Sequence, residues 1–164
     1  MDKHDNLVVG LTHIDLGWKK GRAEMAAMLD IYLEHLCNML DTYPDFRYVL
    51  EQAVHYKDLK TRNLQLFERV KAYLCTGRLE FATGLASTIE NNVVCAESFV
   101  RNMQIGLRWI KENFGVSVKY CTSLDTISFW PTAWGDIIGK NACPYGDWII
   151  RRFGFLAGIW YLPM

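Results

Sequence analysis

Short apolar runs alternate along this chain with longer segments in which apolar residues recur at helical spacing. Apolar runs of strand length lie at residues 7–11, 46–50, 79–83 and 116–121. Helical spacing covers residues 23–40, 59–74 and 97–114, and Pro131 begins a fourth helical stretch that reaches residue 139. Strands that alternate with helices of this length predict an α/β fold with a parallel sheet and right-handed crossovers. Four such βα units in succession predict about half of a barrel.

Polar residues follow each predicted strand at the edge that parallel strands share. His13 and Asp15 follow the first strand, Glu51 the second, Glu90 the third and Asp125 the fourth. In a barrel or an open parallel sheet, the carboxyl ends of the strands converge on one site. The pattern therefore predicts a single functional site at this edge of the sheet.

The segment 12–18, Thr-His-Ile-Asp-Leu-Gly-Trp, carries the most specific chemistry. Alternate side chains of an extended backbone point the same way, so His13 and Asp15 are placed to bind one divalent metal ion. Trp18 offers a flat apolar face close by. The competing interpretation is that Asp15 caps a helix and His13 is a solvated loop residue, because a short His-x-Asp pattern is common by chance.

The other polar residues at this edge have structural interpretations as well. Glu51 would be a buried structural carboxylate if it paired with a base such as Arg47. Asp125 would cap the helical stretch that begins near Pro131, and Glu90 would be an ordinary loop charge. The residue pattern alone leaves these alternatives open.

Composition limits the class of protein. The 164 residues are 51% hydrophobic and carry 18 basic and 18 acidic side chains, which suits one globular domain and gives no basic excess for nucleic acid. Five cysteines without a Cys-x-x-Cys pair argue against a disulfide framework and favour a reducing, cytoplasmic location. The polar start of the chain predicts no signal peptide, and the longest apolar stretch, 153–164, is too short for a membrane span.

With these residues in place, the chain resembles the N-terminal catalytic domain of glycoside hydrolase family 38, the retaining α-mannosidases. The segment 13–18 is similar to the His-x-Asp block that follows the first strand of that family. Further similar segments follow in the same order between residues 7 and 145, at 46–51, 77–84, 97–101, 114–116 and 124–125. The resemblance implies an incomplete (β/α) barrel of the family 38 type, formed by residues 1–145. Residues 146–164 do not resemble the family and form an apolar tail that offers a surface for oligomerisation.

The resemblance also implies a zinc-assisted, retaining hydrolysis of α-mannosides. Carried over to this chain, it makes His13, Asp15 and Asp125 three ligands of one Zn²⁺ ion. Asp125 is then also the nucleophile that forms a glycosyl-enzyme, while Trp18 and Glu51 are expected to bind the sugar. The fourth zinc ligand and the acid that protonates the leaving oxygen have no counterpart within these 164 residues.

Two other functions compete with this one. The chain could be a catalytically inactive remnant that binds metal or sugar weakly. It could also be another metal-dependent hydrolase, such as a carbohydrate deacetylase. The deacetylase ranks last, because it requires a further His-x-x-x-His pair that none of the four histidines supplies.

Overall fold

The computed structural model describes residues 10–90, 93–118, 121–122 and 159–160. In chain order the elements are β1 Gly10–Leu11, α1 Arg22–Thr42, β2 Tyr48–Leu50, α2 Ala53–Arg62, α3 Leu64–Cys75, β3 Leu79–Phe81, α4 Ala96–Phe114, β4 Cys121–Thr122 and β5 Ile159–Trp160. Among the helices described, none combines the length and the apolarity that a membrane crossing requires.

Strands β1, β2 and β3 form one parallel sheet in that order, with Gly10 opposite Tyr48 and Tyr48 opposite Leu79. Helix α1 connects β1 to β2, while α2 and α3 together connect β2 to β3. Parallel strands need such long crossovers, and helices are their usual form. The predicted α/β fold with a parallel sheet is therefore confirmed for the first three strands.

The fourth strand differs from its prediction. Residues 116–118 of the apolar run are irregular, and the two-residue strand β4 pairs antiparallel with β5 rather than joining the parallel sheet. Val116 and Val118 pack against the core. These apolar residues are therefore explained by burial of their side chains, without backbone pairing in a sheet. The described residues thus show three parallel strands and do not establish an incomplete barrel. The helical stretch predicted from Pro131 lies outside them.

The helix predicted over 59–74 is instead divided between α2 and α3 at Asn63. The backbone N–H of Asn63 donates to the carbonyl of Leu59 and ends α2, while its side-chain oxygen accepts from the N–H of Leu66 at 3.1 Å. Asparagine is among the strongest N-cap residues because its side chain satisfies a donor left free at the helix start. One residue therefore ends one helix and begins the next.

The hydrophobic core lies between the sheet and the helices. Phe67 on α3 stacks on Phe114 of α4 at 4.8 Å between ring centroids, and Trp109 meets Phe114 edge-on at 5.5 Å. Trp109 is partly buried and packs against this core. The fully enclosed side chains include Leu33, Leu40, Leu59, Leu79, Met103 and Ile110.

A very close contact between Gly106 and Gly84 fixes α4 against the segment that follows β3. A Cβ atom added at Gly106 would lie only 2.2 Å from the carbonyl oxygen of Gly84. Two further bonds join the same elements: the N–H of Ala86 donates to the carbonyl of Asn102, and the Asn102 side-chain oxygen accepts from the N–H of Ser87. Helix α4 thereby holds the segment after β3 close to the carboxyl ends of the strands.

Cys37, Cys75 and Cys95 are free thiols. The cytoplasmic location expected from the cysteines stays a prediction, because redox state alone does not fix a compartment. Oligomerisation through residues 146–164 also stays a prediction, since of that segment only the backbone pairing of β5 is described.

Candidate functional site

The register of the parallel sheet brings the segment after β1 beside the segment after β2. Gly10 lies opposite Tyr48 and Leu11 opposite Val49, an offset of 38 residues. Continued for two residues beyond the strands, the same register puts His13 beside Glu51. The side chains of these two residues do meet, although neither belongs to a strand.

His13 stands between two carboxylates. Its Nδ1 atom lies 2.7 Å from Oε2 of Glu51, and its Nε2 atom lies 3.3 Å from Oδ1 of Asp15. The Glu51 side chain is 4% exposed, whereas that of His13 is 20% and that of Asp15 is 40% exposed. The imidazole thus has one nitrogen toward the interior and the other toward solvent.

The pair His13–Asp15 has the spacing of two ligands on one zinc ion. Bonds of about 2.0–2.1 Å in tetrahedral geometry place two ligand atoms about 3.3–3.4 Å apart. The 3.3 Å between Nε2 and Oδ1 matches that separation. The second imidazole nitrogen meets a carboxylate, which is one of the usual partners of a metal-bound histidine, along with backbone carbonyls and water. The chemistry of these donors therefore fits Zn²⁺.

Side-chain hydrogen bonds to the backbone hold Ile14, the residue between His13 and Asp15. The carbonyl oxygen of Ile14 accepts from Nε2 of Gln52 at 3.1 Å and lies 2.7 Å from Nε2 of His55. Burial lowers the pKa of His55 below its ordinary value of 6.5, partly opposed by this bond to Ile14. A neutral ring with its proton on Nε2 serves as the donor here. The sequence contains no signal for this role of His55, because its partner is a backbone atom 41 residues away.

Gln52 links the segments after β1 and β3. While its Nε2 holds Ile14, its Oε1 accepts from the N–H of Thr88 at 3.1 Å and lies 3.4 Å from Oγ of Ser87. Its backbone has a φ of 42°, which is uncommon for a residue with a side chain. Sequence reasoning missed Gln52, and no residue pattern signals a positive φ at a glutamine.

A cavity of about 270 Å³ opens in front of His13 and Asp15. Gln52 forms part of its wall, and residues 87–90 form the opposite side. This volume is close to the lower limit for small-molecule sites, which begins at about 300 Å³. The lining combines backbone, hydroxyl, amide and carboxylate groups, a set suited to a polar ligand.

The other residues predicted for the site are Trp18, Glu51, Glu90 and Asp125. Trp18 is 75% exposed. Glu90 lines the cavity, and Glu51 is paired with His13 rather than with Arg47, so the alternative of an Arg47 pair is wrong. Asp125 lies outside the described residues. Within 10–90 and 93–118, no three His, Cys, Asp or Glu side chains form a group that could hold a metal ion.

The sequence matches a family model. Residues 3–131 match the model described as the N-terminal domain of glycosyl hydrolases family 38. Alpha-mannosidase G of Dictyostelium discoideum is 30% identical over 131 residues, which is 77% of this chain and 11% of that protein. An alpha-mannosidase of Saccharomyces cerevisiae is 27% identical over 123 residues, which is 74% of this chain and 11% of that protein.

Solved structures share the fold. An alpha-mannosidase from Enterococcus faecalis superposes with a TM-score of 0.59 at 22% identity, covering 64% of this chain and 12% of that one. A family 38 glycosyl hydrolase from the same organism superposes with a TM-score of 0.66 at 20% identity, covering 79% of this chain and 15% of that one. The chain spans 11% of the length of the two curated relatives.

The family match covers the segment 12–18 and the carboxyl ends of all three parallel strands, where the side chains of His13, Asp15 and Glu51 meet. The resemblance inferred from the motifs is therefore confirmed. This chain belongs to the glycosyl hydrolases family 38 N-terminal domain family.

Proposed function

We propose that the site at the carboxyl ends of the strands is the metal-binding part of an α-mannosidase-type glycoside hydrolase. The observation that carries the proposal is the 3.3 Å separation between Nε2 of His13 and Oδ1 of Asp15, next to a cavity large enough for a small polar ligand. The relatives named as alpha-mannosidases support α-mannosides as the substrate class.

In this proposal His13, Asp15 and Asp125 hold one Zn²⁺ ion. When bound, the ion binds sugar hydroxyl groups and favours distortion of the ring. Side chains of this protein position the two proposed ligands. Gln52 and His55 fix the backbone between His13 and Asp15, so the two ligands keep their separation before any metal binds.

Asp125 is proposed as the nucleophile as well as a ligand. Its carboxylate attacks the anomeric carbon, and the departing oxygen leaves with a proton from a separate acid. In retaining enzymes these two carboxyl groups lie about 5–5.5 Å apart. The exposed ring of Trp18 supplies a flat apolar surface against which a sugar face can pack.

The test is metal-dependent sugar binding by this chain. Calorimetric titration with methyl α-mannoside is expected to show binding in the presence of Zn²⁺ and none after chelation. Methyl α-glucoside and methyl α-galactoside serve as matched controls and are expected to bind more weakly. Replacing either proposed ligand, by His13→Ala or Asp15→Asn, is expected to remove the zinc-dependent part of the signal.

A control variant separates this result from damage to the fold. Glu97→Gln alters an exposed carboxylate on α4 that pairs with Arg101, and it is expected to bind like the unaltered chain. Mannoside binding that is indifferent to Zn²⁺ and to both ligand substitutions would contradict the proposal, as would a preference for glucoside or galactoside.

A further inference from the structure

We propose that Glu51 is a positioning residue that acts through His13: it holds the imidazole in the Nδ1–H tautomer and so presents Nε2 to the metal as a lone pair. This inference deepens the proposed function and rests on it. It also replaces the expectation from sequence that Glu51 binds the sugar directly.

The location of Glu51 separates it from the cavity. The residue follows Leu50 at the end of β2 and is 4% exposed, and it is not among the residues that line the 270 Å³ cavity. His13 lies between the two and does line the cavity. A ligand in the cavity can therefore contact His13, whereas the Glu51 side chain acts on it through the His13 ring.

The hydrogen bond determines which ring nitrogen carries the proton. An ionised carboxylate only accepts hydrogen bonds, so with Glu51 ionised the 2.7 Å contact places a proton on Nδ1 of His13. In the neutral ring the proton is then absent from Nε2. Burying a carboxylate is costly unless it is hydrogen-bonded, and this bond meets that requirement.

The other ring nitrogen of His13, Nε2, faces Asp15. With the proton on Nδ1, the Nε2 lone pair lies 3.3 Å from an oxygen of Asp15. Two electron-rich atoms at this distance repel each other unless a proton or a metal ion lies between them. Glu51 and Asp15 thus act on opposite nitrogens: Glu51 fixes the tautomer, and Asp15 completes a pair of donors for a metal ion.

The competing state is the opposite tautomer, with the proton on Nε2, and nitrogen NMR distinguishes the two. In protein labelled with ¹⁵N-histidine, long-range ¹H–¹⁵N correlations report the protonation of each ring nitrogen. We expect the neutral ring of His13 to carry its proton on Nδ1. A neutral ring with its proton on Nε2 would overturn the inference.

Substitution of Glu51 is the second arm. A glutamine at this position both donates and accepts, so Glu51→Gln is expected to leave a mixture of the two tautomers. Glu51→Asp keeps an acceptor-only carboxylate and is expected to retain more of the Nδ1–H form than Glu51→Gln. If Glu51→Gln left the tautomer unchanged, Glu51 would not be the group that sets it.

Zinc affinity, measured by competition with a chromogenic chelator, is the third arm. Loss of a carboxylate that orients a metal-bound histidine typically weakens binding by roughly 10- to 100-fold, and Glu51→Gln is expected to fall in this range. Glu80→Gln, on the neighbouring strand β3, is the matched control and is expected to keep the affinity of the unaltered chain.

The arms separate this inference from the proposed function. If the chain binds zinc and Glu51→Gln binds it equally well, the positioning role is wrong and the metal site stands. If Glu51 sets the tautomer but His13→Ala does not alter zinc binding, the proposed metal site is wrong. The hydrogen-bonding role of Glu51 toward His13 is then still supported.

Discussion

Nε2 of Gln52 donates a hydrogen bond to the carbonyl oxygen of Ile14 at 3.1 Å, directly between the two proposed metal ligands. Through its Oε1 the same side chain accepts from the N–H of Thr88 at 3.1 Å. A single buried amide therefore sets the separation between the two sides of the cavity. The positive φ of this residue is the backbone distortion that lets one side chain reach both segments.

Gln52→Ala is expected to lower the free energy of unfolding by about 2–3 kcal/mol, because it leaves buried backbone groups without their partner. Gln52→Gly loses the same bonds but relieves a backbone conformation that costs about 1–3 kcal/mol in residues other than glycine. We therefore expect the glycine variant to be the more stable of the two in urea denaturation. A glycine variant less stable than the alanine variant would show that the backbone at this position is not strained.

His55 is expected to make stability depend on pH. Burial lowers its pKa in the folded state below the ordinary 6.5, so the folded protein favours the neutral ring. The resulting stabilisation is complete above the pKa of the unfolded state and is lost as the pH falls through it toward the folded pKa. Between about pH 7 and about pH 5, where histidine titrates, the unaltered chain should therefore lose stability.

His55→Gln is the matched control for this pH dependence, because its amide can still donate to Ile14 but does not titrate. Urea denaturation at several pH values should show a smaller loss of stability for this variant than for the unaltered chain. Equal losses in the two proteins would mean that protonation of His55 does not oppose folding.

The contact between Gly106 and Gly84 predicts that α4 tolerates no side chain at this point. Gly106→Ala would bring a Cβ atom within 2.5 Å of backbone atoms of Leu85 and Ala86, and it is expected to cost at least about 2 kcal/mol of stability. Gly17→Ala meets only one atom, at 3.8 Å, and is expected to change stability by less than about 0.5 kcal/mol. Thermal unfolding of the two variants side by side measures the difference. Equal melting temperatures would contradict the close packing of α4.

The proximity of His13 and Asp15 was predictable because it depends only on the local geometry of an extended backbone. Helices α1, α3 and α4 were predictable for a similar reason, since their apolar spacing is repeated over several turns, whereas the break between α2 and α3 at Asn63 was not. The resemblance to a family was carried by short segments whose order is preserved along the chain. Each of these inferences needed only residues close together in sequence.

The partner of Glu51 was not predictable, because it depends on the register between β1 and β2. A shift of one residue in that pairing would turn side chains to opposite faces, and no local pattern sets the shift. The positive φ of Gln52 was not predictable either. The side chain of this residue contacts residues 14 and 88, which are distant in the sequence. A fourth strand in the parallel sheet is not seen among the described residues, for the converse reason. Val116 and Val118 are apolar because they cover the core, and not because they pair in a sheet.

Anomalous diffraction at the zinc absorption edge, from crystals of the chain grown with Zn²⁺, tests the central claim most directly. The account predicts one peak about 2.0–2.2 Å from both Nε2 of His13 and a carboxylate oxygen of Asp15, with an oxygen of Asp125 as a third ligand. A peak away from His13 and Asp15 would contradict the account. So would carboxylates of Asp15 and Asp125 more than about 10 Å apart, since ligands of one zinc ion each lie about 2 Å from it.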